Sequence, residues 1–250
     1  MKEAIETGER RLPFAGVNNF RDLGGYGTES GATTRWGLVF RSDSPHNFTA
    51  ADLDAFDALD VRVIYDLRRD AERAADPGPR PCVQNVVPSG PVAATDSNTL
   101  TDRADGERWL FEDYCRMLQV AGPVFGGLFA QFADCDGPLL FHCMGGKDRT
   151  GMTAALLLTC LGVDRETVLD DYELTSRYSG PDRIPHVVDL FVAEGVARDA
   201  AIGILSTPRW AMADALDRLD ATYGGIESYL RGPGGMEETT IESLRSRLLD

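Results

Sequence analysis

The sequence has no surplus of positive charge. Its 40 acidic and 25 basic side chains leave a formal charge of −15 and a pI of about 4.6. That balance argues against a nucleic-acid partner, whose binding surface is basic, and against general attraction to anionic membranes. An anionic ligand would need a local positive field, because the field of the whole chain repels it. Residues 1–12 are charged and contain no apolar h-region, so no secretory leader is visible. No window approaches the roughly 18–20 apolar residues of a membrane span, so no membrane insertion is expected. The five cysteines, Cys82, Cys115, Cys135, Cys143 and Cys160, are odd in number, scattered, and free of the C-x-x-C spacing. They do not read as a disulfide framework or a metal site, and four of them read as reduced thiols in a cytoplasmic protein, with export lacking a leader left open. There is no internal repeat, heptad run, low-complexity tract or obvious linker. The 250 residues suit one α/β domain, 1–250, large enough to bury a core.

What is present is an alternation of short apolar runs and helical patterns. Leu38–Phe40 and Val61–Tyr65 read as buried strands, and Cys82–Val87 as a weaker one. Between the first two, Thr49 is an N-cap candidate, and Leu53, Phe56 and Leu59 fall on one helical face. Strand, helix, strand implies a parallel pair with a right-handed crossover. Residues 76–106 are rich in Pro, Gly, Asp, Ser and Thr and read as a loop region, with a mobile flap over 86–106. Helices are expected at Glu107–Gln119 and Pro123–Phe132. An apolar strand then leads through His142 into a glycine-rich turn and a nearly all-apolar helix, Thr150–Leu161. Further helices are expected at Arg165–Arg177, Pro185–Val196, Pro208–Tyr223, Ile226–Arg231 and Glu237–Leu249. The class is α/β, with a central, mostly parallel sheet, flanking helices and a helical C-terminal part.

The turn carries the chemistry. It reads His142-Cys143-Met144-Gly145-Gly146-Lys147-Asp148-Arg149-Thr150-Gly151, and it joins the carboxyl end of a strand to the first turn of a helix, where ligands bind in open α/β sheets. A helix N-terminus offers unpaired N–H groups and a partial positive charge. The two glycines let the backbone of Met144–Lys147 curl so that those groups converge, and Arg149 adds a planar fork that can hold two phosphate oxygens. A cysteine at the mouth of such a loop is favoured as thiolate and aligned to attack phosphorus, forming a phosphocysteine. Thr150 can donate its hydroxyl to the sulfur, and His142 can fix the loop through hydrogen bonds. Lys147 is an extra cation that suits substrates with more than one phosphate, such as phosphoinositides; a solvated loop lysine fits equally well. The bland reading, a core cysteine and a surface arginine, leaves the paired glycines and the charged triplet unexplained.

This segment resembles the signature loop of bacterial protein tyrosine phosphatases, in the form His-Cys-x-x-Gly-Lys-Asp-Arg-Thr-Gly. Asn19–Tyr26, Phe40–Asp43, Asp66-Leu67-Arg68 and Tyr223–Arg231 are similar to further motifs of that family, from about residue 14 to the end. The resemblance implies a cysteine-phosphatase fold without metal or organic cofactor. Its substrates would be phosphorylated proteins or phospholipid headgroups. It also implies a helical lid, for which the apolar stripe Val187, Val188, Phe191 and Val192 marks 180–206; a core stripe is the alternative. Arg21 and Asp22 would brace the signature loop.

The leaving oxygen needs a general acid. Asp66 ends a strand parallel to the catalytic one and is the first candidate, which the resemblance also favours; a turn-capping carboxylate is its alternative. Asp148, inside the loop, is the second candidate, or else it orients the loop or pairs with Arg68. Asp96, Asp102 and Asp105 lie on the expected flap. Two rival functions are a rhodanese-like sulfurtransferase or arsenate reductase, and a phosphate-reading pseudophosphatase. The first would generally lack the x5-Arg-Thr ending or would need a resolving cysteine near Cys143. Cys160 is too far along its helix for that role. The second would usually lack the nucleophile.

Overall fold

The computed structural model describes residues 9–89 and 100–250. Five strands form one sheet in the order β1-β2-β5-β3-β4: β1 (Arg21–Asp22), β2 (Val39–Ser42), β3 (Val63–Asp66), β4 (Val83–Gln84) and β5 (Leu139–His142). All neighbours are parallel except β1 and β2. β2 and β3 are parallel, as the strand–helix–strand pattern predicts, but they are not neighbours: β5 lies between them. The most apolar strand thus takes the centre, where both faces are covered. The helices are α1 (Ala50–Asp57), α2 (Asp70–Ala75), α3 (Arg103–Val120), α4 (Gly122–Asp134), α5 (Asp148–Cys160), α6 (Arg165–Ser179), α7 (Pro185–Ala193), α8 (Arg198–Leu205), α9 (Arg209–Tyr223), α10 (Ile226–Arg231) and α11 (Glu238–Leu248).

Strand register sorts the core into two layers. Phe40, Leu140 and Ile64 lie side by side across the sheet and pack with Phe14, Phe20, Phe56 and Leu59 on one face. Val39, Leu139, Phe141 and Tyr65 belong to the larger layer of Phe125, Phe129, Phe132, Met152, Leu156 and Leu216 on the other. Alternate side chains point to opposite faces, so a residue's place in the strand decides which layer it serves. Thr49 caps α1 as expected, in a reciprocal box with Asp52.

Several expectations change. α3 begins at Arg103, four residues before the predicted start at Glu107, because Asp102 and Asp105 form a capping box. The last residues of the expected flap are therefore helix, and residues 90–99, with Asp96, lie outside the described residues. The predicted helix Pro185–Val196 stops at Ala193, where Gly195 adopts φ +92°, and α8 follows as a separate helix. α8 crosses α3 closely. A Cβ on Gly106 would lie 2.2 Å from the Ala200 carbonyl oxygen, and one on Gly203 would lie 2.3 Å from that of Arg103. β1 and α2 have no counterpart among the predicted elements, and β4 is shorter than Cys82–Val87 and exposed.

Candidate active site

Strand β5 delivers Cys143, 2% exposed, to the start of the loop that opens α5. Among the described residues, the backbone N–H groups of residues 144–149 donate to no backbone or side-chain acceptor, whereas the Met144 carbonyl accepts from Ser44 N at 2.9 Å. The loop therefore points its carbonyls outward to the scaffold and keeps its donors unspent, the arrangement of an anion-binding nest. Gly146 is the residue that needs to be glycine. Its φ is +64°, and a Cβ there would sit 2.5 Å from the Asp43 backbone nitrogen. Gly145, by contrast, is exposed with open space where a side chain would go, so one glycine and not two enforces the curl. The Thr150 hydroxyl is buried without a hydrogen-bond partner among the described residues, which leaves its proton free for the loop interior.

Arg149 is held by a residue the sequence gives little reason to single out. Its Nη1 and Nη2 donate to the two carboxylate oxygens of Glu72, both at 2.7 Å, and Nη1 also reaches the Leu67 carbonyl at 3.5 Å. A guanidinium has five donors. These contacts use three, and the remaining pair, Nε and one Nη2 proton, forms the side edge of the fork that a phosphate can take. Burial pushes the Glu72 carboxyl up, but the Arg149 hydrogen bonds and charge overcome it and hold it at about 2. The same pairing holds the Arg149 guanidinium above its ordinary value. Glu72 sits on α2, where its Oε2 accepts from the Arg69 backbone N–H at 2.9 Å. That local signal, a Glu at the third helical position, was legible; its tertiary partner was not.

Behind the loop lies a buried ion cluster. Asp171 on α6 accepts from Arg21 Nε at 3.0 Å and from Arg41 Nη1 at 2.5 Å, and all three side chains are essentially inaccessible. Arg41 Nη2 and Asn19 Nδ2 each donate to the Gly146 carbonyl at 2.9 Å, so the cluster grips the loop at its tightest bend. Burial alone would push the Asp171 carboxyl up; the two arginines hold it well below the usual carboxylate range. Arg21 thus braces the loop through Asp171. Asp22 does not: its carboxylate accepts from the backbone N–H groups of Gly24 and Gly37, both at 2.7 Å, and fixes the β1–β2 connection. Burial raises the Asp22 carboxyl to about 6.

The two candidate acids stand in different environments. Register places Asp66 beside His142 and on the face of Ile64, the smaller core layer. There it is 1% exposed and engaged by Arg68, whose Nε and Nη2 donate to it at 3.0 and 2.8 Å and whose backbone N–H adds a bond at 2.9 Å. Burial raises its carboxyl, yet the Arg68 hydrogen bonds and charge outweigh that and hold it below the carboxylate range. His142 Nδ1–H donates to the Cys143 carbonyl at 3.2 Å, and burial lowers the imidazole to about 4, so it is neutral near pH 7. Asp148 is different. Its side chain is 31% exposed, and Oδ1 receives Lys147 Nζ and the Tyr114 hydroxyl, each at 2.9 Å. Lys147 is buried, and it also donates to the carbonyls of Ile204 at 2.6 Å and Ser206 at 3.0 Å. Its three protons are spent, so it is a tether between the loop and the end of α8 and not a free cation for a second phosphate.

Residues 12–250 match the profile described as a tyrosine phosphatase family. A Cupriavidus necator protein whose name places it among tyrosine-protein phosphatases is 31% identical over 246 residues, covering 91% of this chain and 85% of its own. The triple specificity protein phosphatase PtpB of Mycobacterium tuberculosis is 28% identical over 282 residues, covering 96% of this chain and 99% of its own. Among solved structures, TpbA of P. aeruginosa in complex with phosphotyrosine is 19% identical, covers 74% of this chain and 90% of its own, and has a TM-score of 0.35. A loop of unspent N–H donors between a buried cysteine and a braced arginine is the apparatus of a phosphoric monoester hydrolase, and this chain belongs to the tyrosine phosphatase family.

Proposed function

We propose that the chain removes phosphate from phosphorylated protein side chains through a phosphocysteine at Cys143, with Asp148 as the proton donor. The observation that carries this reading is the set of unspent N–H groups on residues 144–149, closed by the open side edge of Arg149. They favour a phosphoryl group whose charge grows on its equatorial oxygens as sulfur attacks. Asp148 has the partly open position that a proton donor needs, while Asp66 is a buried carboxylate already engaged by Arg68. Thr150, with its free hydroxyl, supports departure of the sulfur in the second step.

The substrate class follows from the same groups. A phosphoinositide preference rested on Lys147 as a second cation, and that support goes with its three spent protons. The triple specificity in PtpB's name supports acceptance of more than one kind of phosphorylated side chain, phosphotyrosine among them. Within the expected lid over 180–206, α8 is anchored to α3 and Lys147, so α7 is the part suited to move: of its side chains Val188 alone is buried, while Leu190 is 62% exposed.

The test is hydrolysis of an aryl phosphate with EDTA present. Wild type should turn over unchanged, and Cys143→Ser should retain less than about one per cent of activity while still binding vanadate. Asp148→Asn should slow phosphotyrosine much more than an activated aryl phosphate, because a good leaving group needs little protonation. That steep dependence appearing in Asp66→Asn instead would return the acid role to Asp66.

A further inference from the structure

We propose that Tyr114 is the positioning residue that aims Asp148, with Tyr172 fixing the direction of its hydroxyl. The proposal rests on Asp148 being the general acid. Tyr114 on α3 and Tyr172 on α6 are buried, with rings edge to face at 6.1 Å and hydroxyl oxygens 2.6 Å apart. The Tyr114 oxygen also lies 2.9 Å from Asp148 Oδ1.

A proton count orders this chain. A carboxylate can only accept, so the single Tyr114 proton goes to Asp148 Oδ1. The Tyr114–Tyr172 bond must then use the Tyr172 proton. Lys147 donates to the same Oδ1. Oδ1 is occupied in either protonation state, and Oδ2 accepts nothing among the described residues. The transferable proton therefore resides on Oδ2, and the two donors at Oδ1 set which way Oδ2 faces. As the sulfur–phosphorus bond forms and the ester P–O bond breaks, the leaving oxygen takes that proton. When water later attacks the phosphocysteine, the carboxylate takes a proton back and the thiolate is released.

The groups around the carboxyl are Lys147 and Tyr114 in contact, Arg149 by its charge, and Tyr172 behind Tyr114, itself under the influence of Arg41 and Glu107. Burial raises both tyrosines well above their ordinary values, so they stay protonated donors across the working range. Gly151 in the signature makes room for this chain: a Cβ there would lie 3.3 Å from the Tyr172 ring.

The experiment is Tyr114→Phe in wild-type and Asp148→Asn backgrounds, each assayed on phosphotyrosine and on an activated aryl phosphate. In the wild-type background kcat on phosphotyrosine should fall about tenfold, with less than about a twofold change on the activated ester and in KM. In the Asp148→Asn background the same substitution should cost less than about twofold, because its target is gone. Equal losses on both esters, or in both backgrounds, would overturn the proposal. An Asp148→Asn enzyme with no leaving-group dependence would instead overturn the acid assignment beneath it. If circular dichroism shows Tyr114→Phe unfolded, Tyr172→Phe decides: it removes the donor that fixes the direction of the Tyr114 hydroxyl, so kcat on phosphotyrosine should fall more than on the activated ester, and equal values for wild type and variant on both esters would defeat the idea.

Discussion

Two carboxylates hold arginines on opposite sides of the signature loop, and they do so differently. Asp171, behind the loop, joins Arg21 and Arg41 with all three side chains 0–1% exposed, and no ligand can reach the cluster. Glu72 pairs with Arg149 at 16% and 9% exposure, at the edge of the phosphate cradle. Burial makes the rear cluster permanent, because removing one member strands an uncompensated charge in a low-dielectric interior. The front pair leaves one edge of its guanidinium open, so it can orient Arg149 and still let a phosphate in. The rear carboxylate is expected to serve stability and the front one turnover.

The largest effect should come from breaking the rear cluster. Asp171→Ala should cost about 3–5 kcal/mol in urea unfolding, since Arg21 and Arg41 would be buried without a counter-charge. A loss under about 1 kcal/mol would mean the cluster is hydrated and the contrast false. Next comes Arg149→Lys, which removes the fork but keeps the charge. It should lower kcat/KM on the order of 10²-fold, about 2.7 kcal/mol, while the unfolding midpoint moves little. Glu72→Ala should lower kcat/KM about tenfold, near 1.4 kcal/mol, by loosening Arg149 without removing it. An unchanged kcat/KM would make Glu72 a helix-capping residue only.

The smallest effect concerns pH. The Glu72 carboxyl falls from 4.5 to about 2 on folding, so its contribution is fully present above 4.5 and is lost as pH falls through 2. The stability gap between wild type and Glu72→Gln should therefore narrow from pH 5 to pH 2 in denaturant titrations. A constant gap would show that the pairing is not ionic.

Local sequence made much of this readable. The Thr49 capping box, the apolar β5 and the helix after the signature are short-range patterns, and they appear where expected. The signature points to Cys143 and Arg149 because the proposed nucleophile and its anion-holding arginine must share one turn. Element boundaries differ from the sequence expectation at the Asp102 capping box, which starts the helix earlier, and at Gly195, which ends one.

The residues around the loop were a different matter. Asp66 was rightly placed at a strand end, but strand alternation turned its side chain to the face of Ile64, where Arg68 holds it. Glu72, Asp171, Tyr114 and Tyr172 lie between 24 and 77 positions from the loop residues they support or contact indirectly, in α2, α3 and α6. Each looks like an ordinary helical residue until those helices pack. The sequence by itself determined the composition of the loop, since one turn of backbone holds the proposed nucleophile, the donors and the arginine. Tertiary structure decided how deeply each candidate carboxyl is buried and which partners engage it. Burial, strand facing and partner number are properties of packed layers, and no stretch of chain contains them alone.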